Sequence, residues 1–198
     1  MNKTGRKQLG FTLIELLITI AIVAILVAAA TPSIQTMVEK NSVTASLSEF
    51  SASLRMARAE AIKRGRSMVV CPSSDQNTCT GTWADGWLVF EDTNGNGDFN
   101  AGTDQLVRVH TALPSGNTLL WSPQSTSVWT DGVASRIQYN SRGLITTAEG
   151  TFKMCSRSGE AKFARSLVVA LTGGIRSGID GDNNSIYEDE SGVDLSCP

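Results

Sequence analysis

The chain has 198 residues and a formal net charge of −2. This length suffices for one globular domain, and the near-neutral charge excludes a protein that attracts nucleic acid over its whole surface. The charge is unevenly distributed, because residues 1–66 carry nine Lys/Arg against four Asp/Glu and residues 136–176 carry seven against two. Residues 67–135 carry one against seven, and residues 177–198 carry none against six. The distribution allows a basic face on an acidic protein.

The N-terminus combines a basic flank with a long apolar stretch. Residues 1–10 are polar and basic, and residues 11–30 contain Glu15 as their only charged residue. The basic side chains of the flank are Lys3, Arg6 and Lys7. A helix of residues 11–30 spans about 30 Å, the hydrocarbon thickness of a bilayer. The basic flank predicts that the N-terminus stays in the cytoplasm and that the rest of the chain is exported.

An ordinary secretory signal is the alternative, since Ala28-Ala29-Ala30 resembles the cleavage site of such signals. Against this alternative, the apolar stretch is longer than a usual signal and continues directly into a helical pattern. Glu15 is the sharper clue, because a carboxylate inside a membrane helix is costly and marks function. It needs a partner, and the following 24 residues contain no Lys or Arg.

The string GFTLIEL, residues 10–16, resembles the leader-peptidase site of type IV pilins and type II secretion pseudopilins. The resemblance implies that a prepilin peptidase cuts between Gly10 and Phe11 from the cytoplasmic side and methylates the new Phe11 amine. Cleavage would remove the basic leader and leave that amine four residues from Glu15. In a low-dielectric bundle, the amine of a neighbouring subunit attracts this carboxylate strongly. Glu15 is therefore the predicted assembly residue.

The pattern becomes amphipathic after Pro32, where we predict a kink or a local loosening of the helix. The apolar residues recur at helical spacing and share one face: Val43, Leu47, Phe50, Leu54, Ala57 and Ala61. Gly65 predicts the helix end. We therefore predict a removable leader of residues 1–10 and a helix of residues 11–64, whose residues 11–30 lie in the membrane or the filament core.

Residues 65–198 change to short β-like runs separated by Gly, Pro, Asn, Asp and Ser. The runs are residues 67–71, 86–91, 105–110, 117–121, 136–140, 151–155 and 166–171. This pattern predicts an antiparallel, β-rich globular domain of residues 65–198. The predicted fold class is α+β and pilin-like, with a long N-terminal helix packed on that domain.

Residues 54–74, residues 86–110 and the closing Cys-Pro resemble the GspH/FimT family of minor pilins and pseudopilins. The resemblance implies a non-enzymatic structural subunit, anchored in the inner membrane with its globular domain in the periplasm, that then enters a filament. Its implied partners are other pilins or pseudopilins, the prepilin peptidase and methylase, and the membrane. The cysteines and the D-x-N-G-N-G loop favour a type IV pilus, with a type II secretion pseudopilin as the alternative.

Four cysteines in a chain with an export segment favour disulfides over zinc, since no C-x-x-C pair occurs. We predict the pairs Cys71–Cys79 and Cys155–Cys197. Cys71 and Cys155 both end strand-like runs, Cys79 follows a polar turn, and Cys197 would pin an acidic tail with little apolar surface. The two other connectivities of four cysteines remain open.

The loop that begins at Asp92 resembles the start of a calcium loop, with Asn94 and Asn96 at the third and fifth positions. The twelfth position, however, holds Thr103 instead of a glutamate. Asn-Gly repeats form hairpin turns, so a structural turn is favoured and calcium is the alternative. A second acidic stretch, residues 180–184, is a weaker candidate.

Neither a catalytic constellation nor a cofactor motif is found in the sequence. His110 lies in a strand-like run without an associated nucleophile, and no Gly-rich phosphate loop opens a helix. We therefore predict a protein without enzymatic activity and without a cofactor. The tryptophans are predicted to pack in the core or at its rim: Trp83, Trp87, Trp121 and Trp129.

DNA binding is the third functional alternative. Some FimT-like pilins bind DNA through a G-R-x-R motif near the C-terminus, and the matching run here is residues 173–176. Gly174 replaces the first arginine of that motif. The remaining candidate contacts are Arg176, Arg165, Lys162 and Arg157. Because phosphate binding scales with the number of neutralised charges, the lost arginine predicts at most weak DNA binding.

Overall fold

Helix α1 extends from Leu13 to Arg64 and is the longest element of the chain. The computed structural model describes residues 11–114, 116–124, 128–131 and 136–198. The helix is assigned without a break through Pro32, and the kink predicted there stays a prediction. Its C-terminus is closed by Gly65, whose φ of +65° allows the Arg66 N–H to donate to the Ala61 carbonyl oxygen at 3.2 Å. The predicted helix end at Gly65 is thus confirmed.

The chain divides into two compact units, Met1–Val38 and Glu39–Pro198. The sequence analysis places the start of the globular domain after the helix, at residue 65. The division instead falls inside α1. The reason is the apolar face of the second half of the helix. All six residues of the predicted stripe are at most 7% exposed: Val43, Leu47, Phe50, Leu54, Ala57 and Ala61. The amphipathic half of α1 is therefore part of the core of the second unit.

Eight strands are found in the described part of the second unit. They are β1 Met68–Pro72, β2 Trp87–Glu91, β3 Gln105–His110, β4 Thr118–Pro123, β5 Ile137–Tyr139, β6 Gly150–Cys155, β7 Arg165–Val169 and β8 Ile175–Ser177. Each of the seven β-like runs in the sequence corresponds to one of β1–β7. Strand β8 was not predicted, because a three-residue edge strand has too few apolar residues to show a pattern.

The strands form two four-stranded antiparallel sheets, with the orders β3-β2-β1-β5 and β4-β6-β7-β8. In the first sheet Val70 lies opposite Val89, and a β-bulge falls between Val89 and Phe90 where β2 pairs with β3. In the second sheet Phe152 lies opposite Leu167. The predicted antiparallel domain is therefore confirmed, although the sequence alone did not indicate that its strands divide between two sheets.

Aromatic rings fill the core where α1 meets the sheets. The Phe50 ring, fully buried, lies edge-on to Trp83, Trp87 and Phe152, with centroids 5.2, 5.1 and 4.6 Å away. Trp121 is 4% exposed and packs on Phe152. Such edge-to-face pairs add stabilisation beyond the burial of apolar area. The predicted packing role of the tryptophans is confirmed for the three buried ones.

The C-terminal turn of α1 is joined to the first sheet by Arg64. Its Nε lies 2.6 Å from Glu60 Oε2, and its Nη1 lies 3.2 Å from Glu91 Oε2 and 2.7 Å from Gln105 Oε1. The hydrogen bond from Arg64 lowers the pKa of the Glu60 carboxyl. One guanidinium thus links the helix end to both β2 and β3.

Candidate functional site

The N-terminal unit presents an apolar surface that has no cover within the described chain. Residues 11–30 are exposed throughout, with Phe11 at 85% and Leu13 at 79%. The most apolar window of α1 has a mean hydropathy of 2.8, and none of it is buried. The helix is therefore long and apolar enough to cross a membrane. Apolar area on this scale is unfavourable in water, so it requires lipid or other protein chains around it.

The first turn of this helix is capped by Thr12. The Glu15 N–H donates to Thr12 Oγ1 at 3.2 Å, and the Leu16 N–H donates to the Thr12 carbonyl oxygen at 3.2 Å. Thr12 thus satisfies N–H groups that have no partner inside the helix. The sequence analysis missed this residue, although a threonine three residues before a glutamate is the signature of a capping box.

Glu15 lies in the first turn of α1, where a negative charge interacts favourably with the helix dipole. It forms no ion pair within residues 11–114, 116–124, 128–131 and 136–198. Phe11 is the first described residue, and Gly10 lies outside the described residues. Cleavage after Gly10, methylation of Phe11 and the assembly role of Glu15 therefore stay predictions.

The shorter disulfide joins Cys71 to Cys79 across a polar loop, with a Cα–Cα distance of 5.6 Å. Asp75 organises this loop, since its Oδ1 accepts the backbone N–H groups of Asn77 and Thr78 at 2.9 and 2.8 Å. The hydrogen bond from the Thr78 hydroxyl, together with these backbone bonds, lowers the pKa of the Asp75 carboxyl. The pair is the one that the sequence predicts.

The longer disulfide joins Cys155 at the end of β6 to Cys197, with a Cα–Cα distance of 5.9 Å. This pair is also the predicted one, but the tail is held by more than its disulfide. Leu195 is only 3% exposed, and its N–H donates to the Tyr187 carbonyl oxygen at 2.9 Å. The expectation of a tail with little apolar surface to hold it was thus wrong, because Leu195 packs beside Cys155.

Lys153 also contacts the same C-terminal tail. It is 3% exposed, donates to the Ser196 carbonyl oxygen at 2.5 Å and lies 4.2 Å from the centre of the half-buried Trp129 ring. Burial lowers the pKa of the Lys153 ammonium. Both the disulfide and this cation therefore connect the end of the chain to β6.

The Asp92 loop is a hydrogen-bonded turn. Asp92 Oδ1 accepts the Gly95 N–H at 2.8 Å, and its Oδ2 accepts the Gly97 N–H at 3.0 Å. The amide oxygens of Asn94 and Asn96 each accept a backbone N–H two residues further along the loop. These oxygens, the candidate calcium ligands, already serve as acceptors within the loop. The structure thus supports the turn, and calcium stays the untested alternative.

The weaker acidic stretch brings more carboxylates together than the Asp92 loop does. Ligand-type oxygens of Asp180, Asp182 and Glu188 lie within 4.8 Å of one another. Backbone groups hold them, since the Gly181 N–H donates to both Glu188 oxygens and the Ser185 N–H donates to Asp180. Glu188 was not predicted to belong here, because it lies in the chain beyond the acidic stretch.

His110 has a packing environment and no nucleophile beside it among the described residues. Its ring stacks on Trp87 with centroids 3.8 Å apart. Its Nε2 lies 3.0 Å from Glu49 Oε2, and its Nδ1 lies 2.7 Å from the Thr111 carbonyl oxygen. His110 therefore connects the edge strand β3 with helix α1.

The four candidate DNA contacts are distributed over β7, β8, a turn at Arg157 and the short 3-10 helix Ala161–Phe163. Arg165 donates to the Lys162 carbonyl oxygen at 3.2 Å, so these two residues are neighbours. Arg176 Nη2 lies 3.6 Å from Glu190 Oε1, and Lys162 pairs with Glu160. The aliphatic part of the Arg157 side chain packs against Gly116. Two of the four cations are thus paired with carboxylates, and DNA contact stays a prediction.

Comparison with known proteins places these features in a family. Residues 46–173 match the family model described as Type II transport protein GspH, and residues 5–31 match the Prokaryotic N-terminal methylation motif. A fimbrial protein of Pseudomonas aeruginosa is 45% identical over 64 residues, which make up 32% of this chain and 41% of that protein. The chain therefore matches less than half the length of this relative.

A solved structure of a minor pilin shows the same fold. The type IV minor pilin FimU of Pseudomonas aeruginosa superposes with a TM-score of 0.54 at 20% identity, covering 82% of this chain and 99% of FimU. The minor pseudopilin EpsH of the Vibrio cholerae type 2 secretion system gives a TM-score of 0.46 at 18% identity, covering 70% of this chain and 98% of EpsH. Since the GspH model covers more than half of the chain, the chain belongs to the GspH family, and its fold is that of a type IV minor pilin.

Proposed function

We propose that this chain is a minor pilin-like structural subunit of a type IV pilus. The observation that carries the proposal is the exposed apolar surface of residues 11–30. These residues lie within the match to the N-terminal methylation motif. In this proposal, residues 11–30 first anchor the chain in the inner membrane with the globular domain in the periplasm. The same residues later enter the core of the filament. The role is structural, as is typical of this fold, and involves no catalysis.

Glu15 would guide the entry of the subunit into the filament. An exposed carboxylate at the start of an apolar helix has no ion-pair partner among the described residues, and a methylated Phe11 amine of a neighbouring subunit would supply one. Inside a helix bundle the two charges attract far more strongly than in water. A subunit without this carboxylate would leave the neighbouring amine unpaired, which is costly in such a site.

The processing step predicts a specific N-terminus. Protein purified from membranes should begin at Phe11 and carry one methyl group on its amine. Mass spectrometry of the N-terminal peptide measures both properties, and protein from a strain without prepilin peptidase is the control. A mature chain that begins after Ala30 would contradict the proposal, because it would show that the apolar stretch is an ordinary secretory signal.

The assembly step predicts that Glu15→Ala and Glu15→Gln are both cleaved normally but enter sheared filaments at least about tenfold less than the wild type, since an unpaired buried charge is costly. Alanine favours helix and glutamine keeps the shape of the side chain, so neither change acts by breaking α1. Thr19→Ala is the control, because the Thr19 hydroxyl donates to the Leu16 carbonyl oxygen within the helix and to no other residue that the structure describes. Equal incorporation of all variants would show that the Glu15 charge is dispensable.

A pseudopilin of the type II secretion system is the second candidate, and the description of the matched family favours it. Deletion of the gene in the source organism separates the two functions. Loss of surface pili with normal export of secreted enzymes supports the pilus subunit. Normal pili with loss of enzyme export would assign the chain to the secretion system.

A further inference from the structure

Two adjoining cavities run along one side of α1 in the unit Glu39–Pro198. A cavity of about 390 Å³ lies between residues 44–55 of the helix and the second sheet. Another of about 520 Å³ lies between residues 55–62 and the turn into β8. Arg55 lines both cavities, so they adjoin at its side chain, and together they are here called the helix–strand furrow.

The furrow is positively charged. Arg55, Arg58 and Arg165 line it, and no Asp or Glu lines either cavity among the described residues. Arg58 Nη2 donates to the Thr172 carbonyl oxygen at 2.9 Å, and Arg165 lies 4.0 Å from the centre of the Tyr187 ring. Arg55 is exposed and makes neither a hydrogen bond nor an ion pair to any described residue. Among the residues that the structure describes, all three positive charges are therefore without a carboxylate partner, on a protein whose net charge is −2.

Strand β8 forms the other wall and is the edge of its sheet. The Ala170 N–H donates to the Gly174 carbonyl oxygen and the Gly178 N–H to the Ser166 carbonyl oxygen, each at 3.0 Å. Because antiparallel hydrogen-bonded pairs alternate along a strand, the backbone groups of Ile175 and Ser177 point away from β7. Both residues also line the furrow. A strand edge that no described residue pairs with therefore faces the same space as the arginines.

We infer that the furrow binds an extended, carboxylate-bearing segment of another protein chain, which adds to β8 as a further strand. Backbone hydrogen bonds to Ile175 and Ser177 would align the segment, as in other cases of strand addition to a sheet edge. Every second side chain of the added strand would face the furrow, where arginine binds carboxylate through charge-assisted hydrogen bonds. The exposed Ser48 hydroxyl offers a further donor beside Arg55. The inference stands whether or not the filament role holds.

The test uses the full chain in micelles of a zwitterionic detergent, which adds no net charge. The probes are two fluorescein-labelled peptides, one alternating glutamate with threonine and the other alternating glutamine with threonine. Fluorescence anisotropy should show binding of the glutamate peptide at least about tenfold tighter than that of the glutamine peptide, the usual gain from a charged hydrogen bond. Arg55→Ala should remove most of this difference.

Two variants test whether the peptide binds at the furrow and along β8. Arg108→Ala removes an exposed arginine from β3 in the other sheet and should leave the affinity unchanged. Ser177→Pro removes an outward N–H from β8, keeps all three arginines and should weaken binding about tenfold, as an edge strand tolerates proline. Near-UV circular dichroism checks that this variant is folded, and Arg55→Glu provides the same test on the helix side if it is not.

Three outcomes would overturn the inference. The first is equal affinity for the glutamate and glutamine peptides, and the second is equal weakening by Arg55→Ala and Arg108→Ala. The third is binding of a DNA duplex more tightly than the peptide, with the DNA affinity lost in Arg55→Ala. That last result would assign the furrow to nucleic acid instead.

Discussion

Phe50→Ala is expected to lower the free energy of unfolding of the globular domain by about 3–5 kcal/mol, the usual cost of deleting a buried aromatic ring. Phe50 is fully buried on α1, and its ring contacts Trp83, Trp87 and Phe152 edge-on. The substitution removes both the buried area and three aromatic contacts, and these large neighbours can collapse into the space only in part. Chemical denaturation of the full chain in detergent, followed by tryptophan fluorescence, measures the change.

Ile62→Ala is the matched control for this substitution. Ile62 lies on the same helix but is 53% exposed, so its truncation should cost less than about 1 kcal/mol. The comparison separates the loss of core packing from any general effect on helix α1. If Phe50→Ala costs no more than Ile62→Ala, the aromatic cluster is not the centre of the core.

Removal of the Cys155–Cys197 disulfide by a double alanine substitution is expected to destabilise the domain by about 4 kcal/mol, against about 2.5 kcal/mol for Cys71–Cys79. The two bridges have sequence separations of 42 and 8. A longer closed loop restricts the unfolded chain more, so its bridge contributes more stability. The melting temperature should therefore fall further for the longer bridge, by about 3–6 °C relative to the shorter one.

Replacing both members of each pair avoids a free thiol, and circular dichroism of the two double variants under identical conditions gives the comparison. The contacts of Leu195 and Lys153 should keep part of the tail in place when the Cys155–Cys197 bridge is absent. A smaller loss for the longer bridge than for the shorter one would contradict the loop-length argument.

Much of the fold could be predicted because its pattern is local. The stripe from Val43 to Ala61 indicates which face of α1 is buried, since residues three and four apart share one side of a helix. The runs of β1–β7 are rich in apolar and β-branched residues and are separated by turn residues, which makes them recognisable. The Asp92 turn is likewise encoded by its own Asn-Gly repeats.

What the sequence did not indicate depends on long-range contacts. β8 has only Ile175 as an apolar residue and exists because β7 offers its free edge. Glu188 joins Asp180 and Asp182 only after the tail has folded back on itself. The furrow is a further example, because Arg55 and Arg165 are 110 positions apart and only the docking of α1 on the second sheet brings them to one cavity. The spacing of residues along the sequence does not indicate which distant residues meet in the fold.

The position of the helix cap bears on the order of events at the membrane. Thr12 provides the cap of α1, and it stands on the mature side of the proposed cut between Gly10 and Phe11. The peptidase would therefore remove none of the hydrogen bonds by which Thr12 holds the first turn. Precursor and product would share the same helix start. They would differ in the charge and length of the segment that precedes Thr12. Under the proposed processing, the first turn of α1 would already be formed in the precursor, and cleavage would need no refolding of that turn before uptake of the subunit.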